Sequence, residues 1–244
     1  AAAGTGALVA PLLAAVDRAV TEHAAGRGPL WPSFYQQLRW LARRPLQFAR
    51  SPAFGWLWLV YGGTYFAANA TETVCALAQR KAAGPKWAAT SLYNTSTTLA
   101  KDSAFARLYG SAAAARAGVP AGSYAAWLLR DSLSMAVFFS LPPAVGAQVA
   151  RATGDPRDEA AGYYAAQVGL PLAFQAVATP IHLWGLDLCN HPGNSLAQRL
   201  RTLRQAYVSS VAIRMLRMAA PYSLGTLGNR ELRSSMRRSL GVER

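Results

Sequence analysis

Three long stretches of this chain carry no Asp, Glu, Lys or Arg: residues 53–71 (AFGWLWLVYGGTYFAANAT), 132–150 and 160–186. A helix needs about 20 mostly apolar residues to cross hydrocarbon, where each unpaired backbone group costs several kcal/mol. The three stretches therefore predict membrane helices, and Trp56, Trp58 and Tyr61 suit the headgroup boundary at the start of the first. A fourth run, 207–228, is interrupted by Arg214 and Arg217, which share one helix face. Arg130 and Asp131 interrupt WLLRDSLSMAVFFSLPP in the same way. Charges placed so must look into a watery cavity, an acidic partner or a headgroup layer, so Arg130, Asp131, Arg214 and Arg217 are the candidate cavity or substrate contacts. Pro142, Pro143, Pro171, Pro180 and Pro221 are expected to kink or end their helices.

Amphipathic pieces lie between the spans. Over 87–108, Leu92, Thr95, Leu99, Phe105 and Leu108 recur at helical spacing, with Lys101 and Arg107 free to reach outward, the pattern of a helix lying in the membrane interface. Residues 34–50 set Leu38, Trp40 and Leu41 against Arg39, Arg43 and Arg44, and Pro45 bends the segment. Residues 1–25, Ala-rich with Leu8, Leu12, Val16 and Val20 four apart, read as a peripheral helix or a poorly ordered leader. The pattern thus predicts an all-α, multi-helix membrane bundle: an N-terminal amphipathic extension over 1–50 and a helical membrane domain over 51–244.

Composition sharpens this reading. Of 244 residues, 52% are hydrophobic and 15% charged, unusual for a soluble chain. Mean hydropathy is only +0.11, so buried helices of a soluble protein are the competing interpretation. The net charge of +14 fits an anionic lipid surface, the matrix side of a mitochondrial membrane, or nucleic acid. The basic tail RELRSSMRRSLGVER lacks interleaved aromatic platforms, which favours a solvated or headgroup-facing helix over an RNA site. Residue 1 is Ala, which fits a fragment or a processed chain, with processing the favoured expectation. Cys75 and Cys189 read as two buried thiols rather than a bridge.

A faint repeat is visible. YGGTYFAANATETV (61–74) and VGLPLAFQAVATPIHL (168–183) are Gly/Ala-rich and bear the polar residues Glu72 and His182, 110 positions apart. LLRDSLSMAVFF and MLRMAAPYSLGT each embed an arginine in a second span. In these features the chain resembles a degenerate member of the mitochondrial carrier family, with YNTSTTLAKDSAFARLYG similar to its matrix helix and Gly-rich corner. The resemblance implies two carrier-like repeats, about 52–150 and 160–240. The family's charged signature is broken at both places: Ala70, Glu72 and Cys75 lack the proline and the cation, and Pro180, His182 and Gly185 lack both charges. TPIHLWGLDLCN is also similar to uncharacterised mitochondrial membrane proteins of fungi and algae.

Enzyme chemistry is not expected. GTG at 4–6 lacks the rest of a dinucleotide loop, no phosphate-binding loop occurs, and no nucleophile signature accompanies His182. Asp187, Cys189 and His191 alternate but read as a helix end and turn rather than metal ligands. No cofactor is implied. Broken signatures and a missing third repeat favour a non-transporting accessory or assembly subunit of an inner-mitochondrial-membrane complex, contacting lipid and other subunits. The alternative is a transporter of a small anionic metabolite held by Arg130, Arg214 and Arg217.

Overall fold

The computed structural model of the protein describes residues 1–220 and 226–239. Pro221 and the last residues of the basic tail lie outside them. The described residues form ten α-helices and no strand: α1 (Ala2–Ala24), α2 (Leu30–Arg43), α3 (Pro45–Ala49), α4 (Pro52–Leu77), α5 (Ala83–Tyr109), α6 (Ala112–Ala117), α7 (Ala121–Thr153), α8 (Asp158–Asn190), α9 (Leu196–Ala220) and α10 (Thr226–Ser239). Among them, α1 and α7 are long and apolar enough to cross a bilayer on those criteria alone.

Local chemistry sets several boundaries. Pro45 pushes the residue before it out of the α region, and Arg44 (φ −142°, ψ 63°) separates α2 from α3. Ser51 Oγ accepts from Phe54 N at 3.3 Å and Pro52 follows at the first helical position, so α4 starts with a side-chain cap and a preset φ. Gly154, in the left-handed region at φ 75°, ends α7 and turns the chain into α8. Pro142, Pro143, Pro171 and Pro180 kink or end nothing at the level of helix assignment, because α7 and α8 each run through their prolines for 33 residues.

The segment expected at the periphery is central. Val9, Ala10, Leu13, Ala15, Val16 and Ala19 of α1 are completely buried. This helix packs on α4 and α2 and also meets α9, α10, α5 and α8. Its small residues allow the approach: a Cβ on Gly6 would stand 2.8 Å from Gly62 Cα in α4. The α7–α8 hairpin closes in the same way, with a Cβ on Gly162 only 3.1 Å from Gly146 Cα. Trp127 of α7 is buried against α8, where Gly185 has no side chain to obstruct it, and its Nε1 donates to His182 O at 3.3 Å.

Polarity runs inside out in the long helices. Leu128, Leu129, Leu133 and Leu141 of α7 are exposed while Ser123, Arg130 and Asp131 are buried. On α8, Val168 and Val177 face outward while Gln175, Thr179 and His182 face inward; on α9, Val208 and Leu216 are exposed and Ser210, Arg214 and Arg217 buried. The helix expected over 87–108 lies within α5, where Leu92 and Leu108 are exposed but Phe105 is buried in the core. Lys101 does not reach outward but is 3% exposed, with Asp102 buried beside it, whereas Arg107 is exposed. Cys75 and Cys189 are buried, unbridged thiols.

Candidate functional site

Six charged side chains from four helices form a chain of alternating sign through the middle of the bundle. Arg217 (α9) pairs with Asp17 (α1): its Nε stands 2.6 Å from Oδ1, and its Nη2 donates to Oδ2 at 3.3 Å. Asp17 Oδ2 accepts from Lys101 Nζ (α5) at 2.6 Å, and the same ammonium stands 2.6 Å from Asp102 Oδ1. Asp102 Oδ2 meets Arg130 Nη2 (α7) at 2.8 Å, and Arg130 reaches Asp131 Oδ1 through Nε at 2.8 Å and Nη2 at 2.7 Å. All six side chains are buried. Such burial costs several kcal/mol per ion unless each charge is matched, and here each is held by an opposite neighbour.

His182 of α8 joins the end of this chain. Arg130 Nη1 lies 2.6 Å from His182 Nδ1, and since a guanidinium only donates, Nδ1 must accept. The ring is therefore the neutral tautomer with its proton on Nε2.

Beside the chain lies a cavity of about 100 Å³ between α4, α5, α7, α8 and α9. Arg130, Asp131, Arg214 and Arg217, the four candidates from the sequence, all line it, together with Lys101 and Gln175. Asp17 and Asp102 complete the charge pairing around it. Arg214 stands apart. It is buried, its Nε has no hydrogen-bond partner, and among the described residues no carboxylate lies within ion-pair distance. Asp131 Oδ2 and Gln175 Oε1 are likewise buried acceptors without a donor. A larger depression of about 470 Å³ between α4 and α10 is open and bordered mainly by apolar surface, and its polar residues Asn69, Thr73 and Arg233 are engaged with one another.

The other sequence candidates lie elsewhere. Glu72 binds Arg233 of α10, a cation far from its own motif, and stands 3.6 Å from Lys86. Pro180 is half-buried inside α8 and does not line the cavity. Asp187 is occupied at the α8–α9 corner, where Arg199, His191 and Asn194 all bond it. Cys189 Sγ contacts Ser123 Oγ at 3.2 Å.

The sequence reading missed Asp17, Asp102 and Gln175 and misplaced Lys101. Asp17 carried a signal: it is the first charged residue of the chain, set in an apolar helical run, the kind of position where an acid needs a buried cation.

No curated protein sequence matches this one. A family model described as a probable citrulline exporter matches residues 1–237. That match overturns the mitochondrial carrier resemblance. The two carrier-like repeats expected over 52–150 and 160–240 are not shown: the described residues of the first range form α4 to α7 and those of the second α8 to α10. Glu72 and His182, the two degenerate signature positions, have different partners, Arg233 for one and Arg130 for the other. Nearly the whole chain is covered by the match, and the protein belongs to the probable citrulline exporter family.

Proposed function

We propose that this protein is embedded in a membrane and exports citrulline, or a close neutral amino acid, through the cavity between α4, α5, α7, α8 and α9. The observation that carries the reading is the polarity of α7, α8 and α9, which expose Leu129, Leu133, Val168, Val177 and Val208 while Arg130, Asp131, Gln175, Arg214 and Arg217 converge on one cavity. A bilayer stabilises that arrangement because its acyl chains solvate the apolar exterior, and the ionisable groups stay sheltered in the interior. Arg130, Asp131, Arg214 and Arg217 are the proposed substrate contacts.

The family description favours transport over the accessory role that the broken signatures had put first. It also changes the substrate class, since citrulline is a zwitterion of zero net charge rather than an anion. The volume fits a closed state: about 100 Å³ is below the ~300–1,000 Å³ of most small-molecule sites, so whole substrate enters only when the helices part. The inner mitochondrial membrane is the proposed location, supported by the +14 net charge and by the exposed arginines 39, 43 and 44 around amphipathic α2, which suit anionic lipid headgroups.

Counterflow of labelled citrulline into proteoliposomes tests the reading. Uptake above that of protein-free vesicles, competed by unlabelled citrulline and lost in Arg130→Ala, is the expected result. Uptake no greater than in empty vesicles overturns it.

A further inference from the structure

We infer that Arg214 is the residue that binds the substrate carboxylate, and that Asp131 Oδ2 and Gln175 Oε1 take N–H donors of the same zwitterion. This deepens the transport reading and rests on it for the identity of the ligand.

The charge balance is the first ground. Around the cavity stand four cations, Lys101, Arg130, Arg214 and Arg217, and three carboxylates, Asp17, Asp102 and Asp131. His182 is neutral because it accepts from Arg130. Three of the cations are matched in the alternating chain, which leaves one positive charge, that of Arg214, without a counter-charge. An unmatched buried guanidinium is strongly unfavourable, so the site is built for a visitor that carries a negative charge into it.

The unpaired hydrogen-bonding groups are the second ground. A guanidinium matches a carboxylate because its planar N–H fork meets both oxygens, and the Nε of Arg214 is unused. Asp131 engages Arg130 with Oδ1 alone, which leaves Oδ2 free for an ammonium or amide N–H. The amide nitrogen of Gln175 donates to Pro171 O at 3.1 Å, fixing its oxygen as a buried acceptor. One donor cation and two acceptors fit a molecule with a carboxylate and several N–H groups, as a neutral amino acid with a ureido or carboxamide tail has. A dibasic amino acid brings a second positive charge beside four cations and is rejected.

Ligand-induced thermal shift of the full chain in detergent tests this without relying on transport. The probes are citrulline, citrullinamide (the same molecule without the carboxylate), arginine and sodium chloride. The expected result is stabilisation by citrulline, none by the amide or arginine, and a roughly ten- to hundred-fold weaker citrulline response in Arg214→Gln, the loss that follows from removing a charged hydrogen-bond partner. Arg214→Lys recovers part of it.

Folding is controlled within the same series. Arg214→Gln removes an unmatched charge and keeps or raises the melting temperature without ligand, whereas Arg217→Gln, which strips Asp17 of a partner, lowers it. Equal stabilisation by citrulline and its amide, an unchanged citrulline response in Arg214→Gln, or stabilisation by chloride as strong as by citrulline overturns the assignment. Failure of counterflow with an Arg214-dependent preference for the carboxylate sinks the transport reading alone. Counterflow without that preference sinks only the role of Arg214.

Discussion

Asp17 joins two cations on different helices, Arg217 through Oδ1 and Lys101 through Oδ2, so its loss leaves two buried positive charges facing each other beside Arg214. Removing one partner of a buried pair costs about 3–5 kcal/mol, and Asp17→Ala is expected to lower stability by at least that much, read as a melting temperature in detergent. Combining it with Arg217→Met removes one of the orphaned cations and restores part of the loss, so the double mutant is more stable than the sum of the singles. An additive pair shows that Asp17 and Arg217 do not interact in the folded protein. A lone acid in an apolar helical run is legible in sequence as an anomaly. Its partners are not, because Lys101 lies 84 positions away and Arg217 lies 200 positions away.

Elements were more legible than their surroundings. The uncharged runs 53–71, 132–150 and 160–186 fall inside α4, α7 and α8, since hydrocarbon-length apolarity marks a long helix wherever it packs. The charged residues that interrupt or bound the α7 run in the sequence do not end the helix. α7 begins at Ala121 and carries Arg130 and Asp131 through its middle, because both side chains face partners inside the bundle. The centrality of α1 was hidden for another reason: the helix is apolar enough to cross a bilayer, but apolarity alone does not say whether it packs at the periphery or in the centre, and its small residues let other helices come close. Gly6 and Gly62 mark such an approach, and Gly6→Val is expected to cost roughly 1–3 kcal/mol or more through forced separation of α1 and α4. Gly55, exposed in the same α4 with no atom near its absent Cβ, is the control. Gly55→Ala is expected to keep or raise the melting temperature by the helix-propensity gain of roughly 0.5–1 kcal/mol. A loss in Gly55→Ala equal to that in Gly6→Val rules out close helix approach as the cause.

At the scale of the whole molecule, a positive chain of +14 exposes leucines and valines on α7, α8 and α9 and matches three of the four cations around the cavity with carboxylates. The fourth, Arg214, awaits a substrate carboxylate in the proposed cycle. Citrulline brings one negative and one positive charge, so the loaded and empty sites differ by no net charge. If the alternating chain stays closed on itself, no uncompensated charge crosses the membrane with the substrate. A transported elementary charge is worth about 2.3 kcal/mol per 100 mV, roughly fifty-fold in accumulation ratio. Citrulline uptake into proteoliposomes is therefore expected to be the same with a potassium-diffusion potential of either sign as with none. Accumulation that follows the imposed potential means that an ion travels with the substrate, and the groups to examine first are then Asp131 and His182, which sit with Arg130 at the end of the chain nearest the cavity's unpaired acceptors.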